Sequence, residues 1–469
     1  MKTLLIVSSL IFAFQIDVFS QKENVLEYIL THSPESNKIN IMLNFKEIEA
    51  KKVKLVIPRS GPGTYELTNY RAFVQEVTAT TKQGNKLQAT LGIGSHFEFA
   101  TESNSITSIS YFVDINKMEK ELLSASSSSK KREKYLGLLG YSVFGFIEGQ
   151  EHLPINLTIN THTNWPIFST ISPSVERKTG SDSFRVSNYA ELADGQYLLG
   201  EGVRIASVPN SPIPLYVAVY SETEYNIKEI GRRALIALNG LKMYYGFIPM
   251  PHYTLCYEFL TPISPRHDYG FSMEHLNSMT ASFDAKRAIL AYEEHPNIGS
   301  MIHHIGHSWI PLRSYGVGYR PFEWQTAPLI ETIWFNEGFT WYIAYYHVLN
   351  DKKIIDRFNK IINTAPTYIN KKSLRELSLL GSSQYGADFR IGMNLFARGA
   401  LLAHELEMKI IKQSEGKKSF KDIALALMEF TEKKHRAFEY EEIEQIMTKA
   451  VEIDISDIWT KWQEPILKD

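Results

Sequence analysis

The chain has 469 residues, 44% of them hydrophobic and 22% charged, a balance that suits about two to four globular domains and excludes disordered, collagen-like and coiled-coil architectures. Lysine and arginine number 50 against 52 aspartates and glutamates, so a formal charge of -2 supplies no basic field for nucleic acid or for an anionic membrane surface. With Cys256 as its single cysteine, the chain can form neither an internal disulfide nor a thiolate metal cluster, and any metal must rest on histidine and carboxylate ligands.

Residues 1–20 read as a secretory signal peptide. Lys2 precedes an apolar run from Leu4 to Phe14, and Val18-Phe19-Ser20 closes it at a cleavable position. Gln15 and Asp17 end the run short of the roughly 20 apolar residues that a membrane anchor needs, and no later segment is long and apolar enough to span a bilayer. The expectation is a protein exported to the periplasm or the cell exterior after cleavage near Ser20.

Residues 21–213 have the period of strands. Ile39, Ile41, Leu43 and Phe45 alternate with more polar neighbours, and Val53 to Ile57 and Ile106 to Val113 repeat the habit. Turn residues are dense, at Pro58, Gly61-Pro62-Gly63 and Gly84-Asn85. This predicts an all-β sandwich domain. The run Ser124 to Ser129, followed by Lys130, Lys131 and Arg132, reads as a solvated hairpin insert.

From Ile227 the apolar spacing becomes helical, ending at Gly246 and Pro249. Two further helical stretches, Ser300 to Trp309 with Ser300 as N-cap and Leu329 to Leu349, belong to a middle domain of residues 214–350. Residues 351–469 read as a helical domain with mixed-charge faces. The predicted fold class is thus multidomain α+β.

His303 and His307 are four residues apart on the first of those helices, so both imidazoles leave one face as two ligands of a single zinc ion require. In the H-E-x-x-H pattern the second position is a glutamate that acts as general base, and here it is His304. Three histidines in five residues also fit a polar surface turn. Glu337 lies in the apolar and aromatic run Ile333 to Thr340, where a carboxylate is costly to bury unless paired or bound to a cation. It is the natural third ligand of a His2Glu site, and an exposed helix-start carboxylate is the alternative.

Taken together, the motifs resemble those of the glycyl aminopeptidase family of zinc peptidases, gluzincins that commonly carry a PDZ module. That family's H-E-x-x-H-x-W-N and L-W-x-x-E-G-x-T-x-Y are similar to His303-His304-Ile305-Gly306-His307-Ser308-Trp309 and to Ile333 through Tyr342. Pro62-Gly63-Thr64-Tyr65 with Asn69-Tyr70-Arg71 resembles its P-G-S-Y segment, and Leu192-Ala193-Asp194 its L-x-D segment. Tyr245-Gly246-Phe247, Arg398-Gly399-Ala400-Leu401 and Gly416 to Asp422 match further patterns in the same order. The resemblance implies a thermolysin-like catalytic domain, one zinc ion, and a peptide or free amino terminus as ligand; the charge balance and hydropathy above predict no nucleic acid and no membrane span. Because residue 469 comes soon after the helical domain, the expectation is a member of this kind without the PDZ module.

Four departures bear on activity. His304 replaces the general-base glutamate. The family's G-G-L-E-H is Phe271-Ser272-Met273-Glu274-His275, which keeps Glu274 and His275 as the residues implied to meet substrate but replaces two glycines. The tyrosine implied to steady the oxyanion is Phe396, and the asparagine after the motif tryptophan is Ile310. Loss of a general base removes about 10²–10⁴-fold in rate and loss of one oxyanion donor about 10²–10³-fold, effects that rarely multiply simply. His304 either fills a fourth coordination position, closing the site, or replaces the glutamate as base. Three readings stay open: a pseudopeptidase that keeps zinc and holds peptide amino termini, an active aminopeptidase with unusual catalytic residues, and a structural or interaction protein with a vestigial cleft.

Overall fold

The computed structural model describes residues 24–101, 105–123, 128–267, 269–286 and 298–466. The predicted signal peptide lies outside the described residues, as do residues 124–127 of the serine run. The alternating segments are strands: Lys38–Ile48 lies between Leu26–His32 and Ile106–Asp114 in a seven-stranded sheet. That sheet is antiparallel except where Leu26–His32 runs parallel to Ile155–Asn160. Two four-stranded sheets accompany it, one built on Tyr135–Leu139 and Gln196–Leu199, the other on Lys52–Val56 and His96–Ala100. Tyr28, Leu43, Leu55, Phe99, Leu138 and Leu199 from all three sheets share one core, so the inward residue of each alternation is the one withdrawn from water.

The basic run after the serines is a correction to the sequence expectation. Ser128, Ser129 and Lys130 are buried, not solvated. The Lys130 ammonium lies 2.9 Å from Glu258 Oε2, which is also buried, and Arg132 pairs with Glu119 and Glu222. A charge is tolerated at such depth because its counter-charge is supplied from a strand far along the chain.

A five-stranded sheet follows, in the order Arg204–Ser207, Leu215–Ser221, Tyr253–Leu260, Ser278–Asp284, Gly270–His275. Its first strand begins at Arg204, upstream of the expected boundary at residue 213. The three central strands are parallel and the edge strand Gly270–His275 is antiparallel to its neighbour. Helix Ile227–Tyr245 packs on this sheet; the Asn226 side chain caps its start and Gly246, at φ 93°, ends it in the left-handed conformation that glycine adopts without penalty.

The described part of the histidine-bearing helix spans Ile298–Gly306, which places Ser300 within the helix and not at its N-cap. The stretch expected to be helical from Leu329 starts at Ile333 and winds as a π-helix through Trp334–Phe339 and Tyr342–Val348. Gly338 allows this helix to approach helix Phe389–Gln413 closely: a Cβ at 338 would stand 2.6 Å from the Gly399 Cα. Helices Ile354–Thr364, Leu374–Gln384, Phe420–Lys434, Ile443–Val451 and Ser456–Gln463 complete the C-terminal region. One continuous apolar core runs from Leu215 through Trp334 and Leu402 to Trp462. The protein is therefore a multidomain α+β structure, sheet-rich at its N-terminal end and helical at its C-terminal end. Among the described residues, no helix is long and apolar enough to cross a membrane.

Candidate metal centre

Four segments meet where the histidine helix crosses the edge strand. The i, i+4 spacing aims His303 and His307 at one point, with their Nε2 atoms 2.9 Å apart. Glu337 Oε2, from the π-helical segment, lies 3.1 Å from His303 Nε2 and 3.5 Å from His307 Nε2. Glu274 Oε2 stands 4.0 Å from His307 Nε2. All four side chains are buried.

These spacings fit a cation. Ligands held about 2.0–2.1 Å from a tetrahedral zinc stand roughly 3.3 Å apart, the scale of the His303, His307 and Glu337 triangle. His307 Nδ1 lies 2.9 Å from the Ile310 carbonyl, which can only accept, so the ring proton sits on Nδ1 and Nε2 of the neutral ring presents its lone pair. That bond uses the backbone of Ile310, and the change of side chain at this position leaves it intact. Donor sets formed by His303, His304 and His307, and by Glu274, His307 and Glu337, each gather within 4.8 Å.

The electrostatics express crowding without a cation. Burial lowers His303, helped by the His307 charge, to about 4. Burial also opposes protonation of His307, but the facing Glu274 and Glu337 carboxylates outweigh it and raise His307 to about 9. Burial pushes the Glu274 carboxyl upward; at Glu337 the same burial is overcome by His307, which holds the carboxyl below its ordinary range.

On the edge strand the two-residue period decides which side chains face the centre. Ser272 and Glu274 point one way. The Ser272 hydroxyl lies 2.6 Å from His304 Nε2, while His304 Nδ1 is buried without a partner. Burial, with the neighbouring imidazoles, pushes His304 well below its ordinary value. Phe271 and Met273 face the other way and pack on the N-terminal core. His275, expected at the substrate, is not brought into the cluster: its Nδ1 lies 3.0 Å from Asp194 and its Nε2 3.1 Å from Thr280. Phe396 is close, its ring centroid 6.1 Å from that of His303, and brings no hydroxyl.

The N-terminal region reaches the same place through the loop Gly61 to Tyr65. Thr64 closes that loop by donating its hydroxyl to the Gly61 carbonyl at 2.8 Å. Gly63, at φ +81°, rests on the Glu274 carboxylate, and a Cβ there would lie 2.8 Å from Oε1. The Tyr65 hydroxyl donates to Glu337 Oε1 at 3.1 Å and accepts from Asn336 Nδ2 at 3.2 Å. Tyr65 has φ 46°, a left-handed conformation that costs a bulky residue about 1–3 kcal/mol. Burial and the Glu337 charge raise its pKa well above normal, so it remains a donor. Sequence reading noticed the motif of Tyr65 without giving it a role. Tyr319, whose buried hydroxyl has no partner among the described residues, was missed altogether, and no local pattern marks it.

Residues 28–201 match the Peptidase M61 N-terminal domain. In structure the chain is similar to an aminopeptidase N family protein from Idiomarina loihiensis, with TM-score 0.78 and 19% identity over 95% of this chain and 76% of that one. It is also similar to the M1 zinc metallopeptidase of Deinococcus radiodurans, with TM-score 0.57 and 10% identity over 95% of each chain. A mutant of that metallopeptidase bound to a Tyr-Ser-Ala substrate gives TM-score 0.55, again with 10% identity over 95% of each chain. No curated protein matches the chain in sequence.

Proposed function

Because the chain is gluzincin aminopeptidase-like, we propose that it is an exported zinc-binding homologue of the aminopeptidases, one that holds peptide amino termini but hydrolyses them weakly or not at all. The observation that carries the reading is the triangle of His303, His307 and Glu337 donor atoms, spaced at 2.9, 3.1 and 3.5 Å, beside a position where histidine stands in place of a carboxylate base. These three residues would hold one zinc ion. Zinc at this place would act as a Lewis acid toward a bound carbonyl. We read the five-stranded sheet with its helices as a thermolysin-like catalytic domain that takes in the strand Arg204–Ser207 ahead of the expected range 214–350.

The remaining residues bind more readily than they transform. Glu274 Oε1 is buried with no hydrogen-bond partner among the described residues, an arrangement suited to a cationic α-amino group. Pro62, next to Gly63, and Leu276, two residues past Glu274, help to line a recess of about 770 Å³ that we assign to the rest of a peptide. His304 is engaged by Ser272 and lies in a buried place that disfavours its protonated form, which makes it a poor base. Phe396 offers no hydrogen bond to a developing oxyanion. Export rests on the leader of residues 1–20.

Metal analysis of the purified chain, followed by assay on aminoacyl substrates, tests the proposal. About one zinc per chain with turnover several orders of magnitude below that of an active relative is expected. Fast zinc-dependent turnover that disappears in Glu274→Ala would replace it with an active aminopeptidase, and absence of stoichiometric zinc would leave an interaction protein with a vestigial cleft.

A further inference from the structure

We infer that Tyr65 is a positioning residue of the metal centre, so that the N-terminal region completes the site and metal binding in turn holds that region in place. The inference rests on the zinc reading above and goes beyond its three ligands. Glu337 divides its two oxygens between partners: Oε2 faces both imidazoles, and Oε1 accepts from Tyr65 at 3.1 Å. The Asn336 amide donates to the Tyr65 oxygen at 3.2 Å, which directs the single hydroxyl proton to Glu337. A carboxylate pinned in this way offers one oxygen to a cation and keeps the other from competing for a second coordination position.

The placement of Tyr65 is not a by-product of its own domain. Its side chain is 3% exposed and belongs to the core of the middle and C-terminal regions, not to the core of the three N-terminal sheets. Its backbone takes a left-handed conformation that aromatic residues rarely adopt, and the same loop lays Gly63 on Glu274. One short loop therefore touches both acidic groups of the centre. Coupling of this kind is reciprocal: whatever factor the docked loop adds to metal affinity, the metal adds to docking of the loop.

The test uses the full chain and zinc itself. Competition against a chelating dye should give a zinc affinity about 10–100-fold weaker for Tyr65→Phe than for wild type. Circular dichroism of the metal-free variant should match wild type, with only a modest fall in melting temperature because Glu337 Oε1 and Asn336 Nδ2 lose a partner. In wild type, zinc should slow amide hydrogen exchange across residues 61–71, and that slowing should be lost in Tyr65→Phe. Equal zinc affinity in the two proteins overturns this inference alone. Exchange at residues 61–71 indifferent to zinc in wild type overturns it even if the variant fails to fold. A wild-type chain that takes up no zinc overturns this inference and the metal reading together.

Discussion

His304 Nε2 lies 2.6 Å from the Ser272 hydroxyl, so two positions at which the chain departs from the glycyl aminopeptidase pattern are bonded to each other. On the proposed reading the histidine stands where relatives of that pattern carry a base, and the serine where they carry a glycine. Their bond occupies the His304 nitrogen that would otherwise be free to take a proton.

Reverting the base alone is therefore expected to do little. His304→Glu should leave aminoacyl hydrolysis within tenfold of wild type, because Phe396 still provides no oxyanion donor and Ser272 still fills its space. His304→Glu combined with Phe396→Tyr should exceed His304→Glu by about 10²–10³-fold. Initial rates on small aminoacyl substrates measure both; full recovery in the single variant would show that the other departures do not matter.

His307 is the imidazole whose second nitrogen is fixed by a backbone carbonyl, and its removal should be the most damaging to metal binding. His307→Ala is expected to reduce zinc from about one ion per chain to near zero after dialysis, measured by plasma mass spectrometry. Retention of stoichiometric zinc would place the metal elsewhere.

Proton competition gives this metal a pH signature. Without metal, His307 titrates near 9, above its ordinary 6.5, so zinc must displace a proton below that pH. Zinc affinity should rise about tenfold per pH unit up to about pH 9 and level off beyond it. The same raised value stabilises the metal-free fold fully below pH 6.5, a contribution lost as pH rises through 9. Calorimetric titration and thermal melts over this window check both signs.

Gly63 sits at positive φ, and a Cβ there would press on the Glu274 carboxylate at 2.8 Å. Gly63→Ala should destabilise the chain by about 1–3 kcal/mol in urea unfolding and weaken capture of peptide amines at Glu274. An unchanged midpoint would mean that the loop 61–65 yields freely.

The Lys130 and Glu258 pair is buried on both sides. Lys130→Ala should cost about 3–5 kcal/mol, because it strands a carboxylate in the core. A loss below about 1 kcal/mol in equilibrium unfolding would indicate that water reaches Glu258.

What the sequence made legible was whatever has a short period. Alternation placed the strands Lys38–Ile48 and Ile106–Asp114, and helical spacing aimed His303 and His307 together. Relationships across long stretches of chain left no such trace. Tyr65 meets Glu337 across 272 residues, and Lys130 reads as a surface charge until Glu258 is seen behind it. His275 follows Glu274 on a strand, where consecutive side chains take opposite faces, and that turns it to Asp194 and Thr280.

The apolar interior that runs unbroken from Leu215 to Trp462 ties the order of the chain to its physical parts in an unexpected way. Cutting after residue 350 would strip Trp334 of its packing against Trp459 and Phe339 of Phe420, baring greasy faces on both fragments. Whoever dissects this molecule should treat the stretch from Arg204 onward as one indivisible block, which the N-terminal sheets grip through the loop bearing Tyr65 as well as through Lys130 on Glu258 and Asp194 on His275.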